Sequence, residues 1–101
     1  MDFKKICSLY ADIDNFLKKY GNPSIRNQHL LVKDTIDLLN SSEDDRTKKE
    51  LLIKSYKSLF TGRGGLTEFY VWDNDFEKRC AINEPFELTT DELWKLMKPF
   101  M

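Results

Sequence analysis

The fold turns on the N-terminal run FKKICSLYADIDNFLKKY, Phe3 to Tyr20. Within it Phe3, Ile6, Tyr10, Ile13, Leu17 and Tyr20 recur at spacings of three and four. On a helix of about 3.6 residues per turn this gathers all six on one stripe, which Leu9 and Phe16 widen. A stripe that apolar has to be buried against other elements. Asp2 stands where an N-cap accepts from free N–H groups, and Lys18 and Lys19 suit the negative end of the helix dipole. Gly21, followed by Asn22 and Pro23, closes the helix.

Working outward, a second helix is predicted from Ser24 to Asn40, with Ile25, His29, Val32, Ile36 and Leu39 as its stripe and Leu31 and Leu38 beside it. The polar run SSEDD breaks the chain. Ser42 followed by acids predicts a third helix from Glu43 to Phe60, with Leu52, Tyr56, Leu59 and Phe60 facing inward. Gly62 suits the position after its end, and Gly64 and Gly65 are expected to take positive φ in a tight turn. LTEFYVW, Leu66 to Trp72, reads as a short strand or as an extended loop laid on the core. A last helix is expected at TTDELWKLM, because Thr89 and Glu92 have capping-box spacing, and Pro99 ends it. The expected fold is mainly α: a compact three- to four-helix bundle, with a short aromatic extended or hairpin segment before the C-terminal helix. A single domain spans residues 1–101.

Composition agrees. The chain has 101 residues, enough for one core without metal or disulfides. Its 41% hydrophobic residues include thirteen aromatics, and 33% of the chain is charged. That balance argues against both disorder and a membrane protein. The N-terminus lacks the apolar core of a signal peptide, so a cytoplasmic location is expected. Cys7 and Cys80 are then expected to be reduced and buried. The net charge of −1 hides an uneven distribution. From Arg46 to Arg63 six basic residues face one acid, whereas from Glu68 to Glu92 eight acids face Lys78 and Arg79.

Several chemistries lack their parts. TGRGGLTE follows a helix and has no lysine–hydroxyl pair opening a new one, so it is not a phosphate loop. In DNDFEKRCAINE, Asp73, Asp75, Glu77 and Glu84 match a calcium-loop register, but Lys78 stands where the sharp turn needs glycine. A solvated acidic loop is the expectation there. His29, on an apolar stripe, reads as a core-edge histidine with one hydrogen bond, and no acid or cysteine can be assigned to it from spacing. Cys7 reads as a small apolar filler. Nothing converges on a catalytic, metal or cofactor site.

Binding surfaces remain. Phe69 and Val71 are expected to plug the bundle, and Tyr70 and Trp72 to face outward among acids. Tyrosine and tryptophan anchor interfaces, and surrounding carboxylates steer a basic partner. Glu68, Tyr70, Trp72, Asp73, Asp75 and Glu77 are therefore the candidate partner-binding residues. The alternative is a nucleic-acid-associated or regulatory role for a basic surface of Arg46, Lys54, Lys57 and Arg63.

YKSLFTGRGGLTEFYV, Tyr56 to Val71, resembles the signature of a small uncharacterised bacterial family: a helix ending in a Leu-Tyr/Phe element, a glycine-rich turn, then an acid and aliphatics. INEPFELTTDELWKL resembles the same family's closing segment. The likeness covers about Leu51 to Leu96, with Arg63 where the family often carries glycine and a longer aromatic-acidic stretch after Tyr70. In size and style the chain also resembles immunity proteins of polymorphic and contact-dependent toxin systems. That resemblance implies a non-enzymatic cytoplasmic protein that neutralises a cognate toxin domain by stoichiometric binding. Trp72 and Tyr70 would then be anchors, and Glu68, Asp73, Asp75 and Glu77 partners for the toxin's Lys and Arg.

Overall fold

The computed structural model describes residues 1–60 and 65–101. Four α-helices form the bundle among them: α1 (Phe3–Tyr20), α2 (Arg26–Leu39), α3 (Asp45–Phe60) and α4 (Phe76–Met97). α1 packs on both α2 and α4, and α2 packs on α3.

α1 follows its sequence pattern. Asp2 caps it by accepting from the Lys5 N–H at 3.0 Å, and the Gly21 N–H donates to the Leu17 carbonyl at 2.7 Å. Ile6, Leu9, Tyr10, Ile13 and Leu17 are buried. They meet Val32 and Leu39 of α2, Leu52, Tyr56 and Leu59 of α3, and Phe86, Leu93 and Met97 of α4 in one core. A buried aliphatic side chain contributes roughly 1.5–3 kcal/mol relative to exposure, so this stripe is a large contributor to stability. Burial raises the Tyr10 phenol above its ordinary range, with Tyr56 adding to the shift, and the hydroxyl has no hydrogen-bond partner among the described residues.

The next two helices start later than expected. Pro23–Ile25 forms a 3-10 turn, with Asn22 accepting from the Ser24 N–H at 2.9 Å, before α2 begins at Arg26. Proline presets φ for such a turn and lacks the N–H a continuous helix would need. At α3 the cap is Asp44, which accepts from the Thr47 N–H at 2.7 Å, rather than Ser42. That bond holds the Asp44 carboxyl below its usual range. Lys48 donates to the Leu39 carbonyl at 3.2 Å, tying the start of α3 to the end of α2.

The largest correction concerns α4. It begins at Phe76, thirteen residues before Thr89, and runs through Pro85. Thr89 is therefore no cap: its hydroxyl donates to the Pro85 carbonyl at 2.8 Å in mid-helix. Interior proline is unfavourable by about 3 kcal/mol. Anchors on both sides hold the helix together across it: Asn83 and Phe86 are buried, then Leu93 and Met97. A 3-10 turn at Lys98–Phe100, containing Pro99, follows.

Leu66–Glu68 is a 3-10 turn, Phe69 after it is extended at φ −72°, ψ 128°, and residues 69–73 join no sheet. The segment is thus the extended alternative, and no strand or hairpin occurs among the described residues. Gly65 is extended at φ −78°, ψ −178°, so its expected positive φ is not found. The expectations for Gly62, Arg63 and Gly64 lie outside the described residues. No helix among the described residues is long and apolar enough to cross a membrane.

Candidate docking surface

The backbone of the aromatic segment is fastened to α4 by the Asn83 side chain. Asn83, 2% exposed, accepts from the Val71 N–H at 2.9 Å and donates to the Val71 carbonyl at 2.9 Å. Its amide also donates to the Arg79 carbonyl at 2.8 Å. The carboxamide thus supplies Val71 with the paired donor and acceptor that a neighbouring strand would offer, which lets a lone extended strip lie satisfied on a helix.

Alternation then sorts the side chains. Phe69 turns inward, half-buried, with its ring 6.1 Å from Phe16 and 5.8 Å from Phe86, both edge-on. Val71 is half-buried. Tyr70 is 49% and Trp72 70% exposed, and Phe76 at the start of α4 is 66% exposed. The inward and outward pairs match the alternation expected of an extended chain.

Trp72 is nonetheless held. Its indole N–H donates to Asn74 at 3.3 Å, and the Arg79 guanidinium lies 4.2 Å from its ring centroid. The same guanidinium is 5.2 Å from the Phe76 ring. A cation over an aromatic face contributes about 0.5–1 kcal/mol at an exposed site. Arg79 and Phe76 belong to this surface, although the sequence pattern did not single them out as binding residues. Their spacing of three on a helix was the available signal, hidden while this stretch was read as a loop.

The acids divide in role. Asp75 caps α4 by accepting from the Lys78 N–H at 3.2 Å, and Asp73 accepts from the Asp75 N–H at 2.9 Å. Lys78 stands 3.8 Å from Asp73. Glu77 lies in the first helical turn, where a negative charge is favoured. The expected acidic loop is therefore a helix start, which explains why the calcium-like spacing does not converge. Glu68 is exposed at the end of its 3-10 turn, beside Tyr70. Among the described residues no group of three or more His, Cys, Asp or Glu side chains is placed to hold a metal ion.

Elsewhere, His29 donates to Asp14 at 2.7 Å, so the histidine has an acid partner that spacing did not reveal. Burial acts to raise the Asp14 carboxyl, but the hydrogen bonds from His29 and Lys18 outweigh it and hold the group below its usual range. Cys7 is half-buried with its thiol 3.8 Å from the Asn40 side-chain oxygen, whereas Cys80 is exposed on α4 rather than buried. Both thiols are free. An open groove of about 600 Å³ runs between α1 and α4, floored by Phe16, Ile82, Pro85 and Phe86 with Lys19 and Lys78 at its edge.

The alternative basic surface lies on α3. Arg46, Lys54 and Lys57 are exposed, and Arg46 is 3.4 Å from Glu50. Of the other cations there, Lys48 serves the end of α2 and Lys49 sits 4.7 Å from the Phe100 ring centroid. Arg63 lies outside the described residues. Comparison of the chain with family models, with curated proteins and with solved structures finds no match.

Proposed function

We propose that this chain is a non-enzymatic binding protein that docks a cationic protein surface on the shelf formed by Tyr70, Trp72 and Phe76 and rimmed by Glu68, Asp73, Asp75 and Glu77. The supporting observation is Trp72, an indole 70% exposed yet fixed by Arg79 on a backbone that Asn83 clamps. An exposed aromatic anchor that is already ordered loses little entropy when a partner covers it, which is what an efficient hot spot requires. The resemblance noted above makes the partner a bacterial toxin domain and this chain its cytoplasmic immunity protein, acting by stoichiometric occlusion. The basic face of α3 supports a nucleic-acid role less well, because Arg46 has an acid beside it and Lys48 and Lys49 serve contacts within the fold.

The test is co-expression with the C-terminal domain encoded by the adjacent reading frame. A tight one-to-one complex is expected. Trp72→Ala should weaken it by about 2 kcal/mol or more, roughly thirtyfold in Kd. Asp73→Lys should weaken it through charge reversal, most strongly at low salt. Helical content should be unchanged in both. No complex at all sinks the immunity reading. A complex that both variants form as tightly as wild type moves the interface elsewhere.

A further inference from the structure

The chemistry of the shelf also indicates which side chain of a partner it receives. Trp72 and Phe76 both present ring faces to a guanidinium, and that guanidinium belongs to the chain itself. Aromatic faces carry negative quadrupole density, so the contact is electrostatic and indifferent to whose arginine supplies the charge. Among the described residues no carboxylate pairs with Arg79, although acids surround it in sequence. Lys78 is the cation facing Asp73. Asp75 uses Oδ1 for its cap, and its Oδ2 has no partner among the described residues. The two rings therefore already hold a guanidinium, while Asp75 beside them keeps one carboxylate oxygen without a partner among the described residues.

We infer that Trp72 and Phe76 form a cation site for an arginine side chain of the partner, which Arg79 occupies in the free protein. An incoming arginine takes up the same stacking, carried there by a partner whose other contacts with the shelf Arg79 does not have. Arginine fits better than lysine because its planar guanidinium stacks by its face and hydrogen-bonds by its edge. Displaced, Arg79 swings into solvent from an exposed helix, where its charge is readily hydrated. Its resident position keeps two large aromatics covered on one face until a partner arrives.

This inference rests on the docking reading for its biological meaning, but it can be tested without any partner. In a Trp94→Phe background Trp72 is the remaining indole, and its fluorescence and indole N–H resonance report on the site. Arg79→Ala in that background should bind L-argininamide saturably, and tighter than its parent by roughly two- to fivefold, the span of one exposed cation–π contact. Glycinamide, which has the ammonium but no guanidinium, should leave the indole unmoved, and Phe76→Ala should weaken the argininamide response. Arg79→Met, which keeps the aliphatic stem, repeats the measurement if Arg79→Ala loses helical content. Argininamide binding no tighter in either variant than in the parent overturns the inference, as does an equal response to glycinamide. Once a complex is in hand, Arg79→Ala should tighten it, and weakening would show that Arg79 itself touches the partner and overturn the displacement. Failure of the titration leaves the docking surface standing, and failure of co-purification leaves the titration result standing.

Discussion

α1 and the start of α4 handle apolar side chains in opposite ways. α1 buries Ile6, Leu9, Tyr10, Ile13 and Leu17 along one face. Between Phe76 and Ile82, α4 buries no side chain fully, and Phe76 stands 66% exposed. α1 is held by the core it helps to build. The first turns of α4 are held by polar devices instead: the Asp75 cap, the three Asn83 hydrogen bonds, and the Arg79 contacts with Trp72 and Phe76. Aromatic residues beside such a clamp are not consumed by packing, which leaves Tyr70, Trp72 and Phe76 exposed.

The contrast can be broken by substitution. Ile13→Ala should remove about 2–5 kcal/mol of stability through lost burial and a cavity, seen as a lower urea midpoint at unchanged slope. A loss comparable to that of an exposed substitution would mean that α1 is not the core helix described. Asn83→Asp keeps the shape but turns an oxygen toward the Val71 and Arg79 carbonyls, and should cost about 1–3 kcal/mol. Its signature is local: the Val71 amide should exchange faster than the α1 amides, and Trp72 should lose anisotropy. Uniform loss across both regions would deny that the clamp is separate from the core.

The smallest effect concerns the link between α1 and α2. Asp14 has a folded carboxyl lowered by His29 and Lys18 against the raising effect of burial. A lowered acid contributes stability that is present above its unfolded range and lost as pH falls through the folded value. The urea midpoint should therefore fall on acidification, and Asp14→Asn should flatten that fall while lowering stability at neutral pH. An unchanged acid limb would show that the pair contributes nothing to folding.

Local signals were legible where they acted alone. Asp2, the α1 stripe and Gly21 placed a helix to the residue, since caps and periodicity are properties of neighbours in sequence. The outward Tyr70 and Trp72 were expected from the acids that flank them, and both are exposed. Misreading began where local signals conflicted with distant ones. Pro85 and the Thr89–Glu92 spacing imitate a helix start, and only the anchors at Asn83, Phe86, Leu93 and Met97 carry α4 across it. Asn83 shows nothing unusual in sequence, because its partner Val71 lies twelve residues back and the bond exists only after both segments dock. His29 and Asp14 each sit on or beside a stripe, yet which acid faces the histidine depends on how α2 lies against α1.

The amino-acid sequence by itself determined a helical bundle and the extent of α1, because 3.6-residue periodicity and caps need no knowledge of the rest of the chain, and the acids around Tyr70 and Trp72 pointed to their exposure. The tertiary structure alone decided that α4 begins at Phe76, that Asn83 stands in for a neighbouring strand, and that Arg79 covers Trp72. Those features depend on long-range placement: a carboxamide and a guanidinium find their partners only when the fold brings distant backbone and rings within contact.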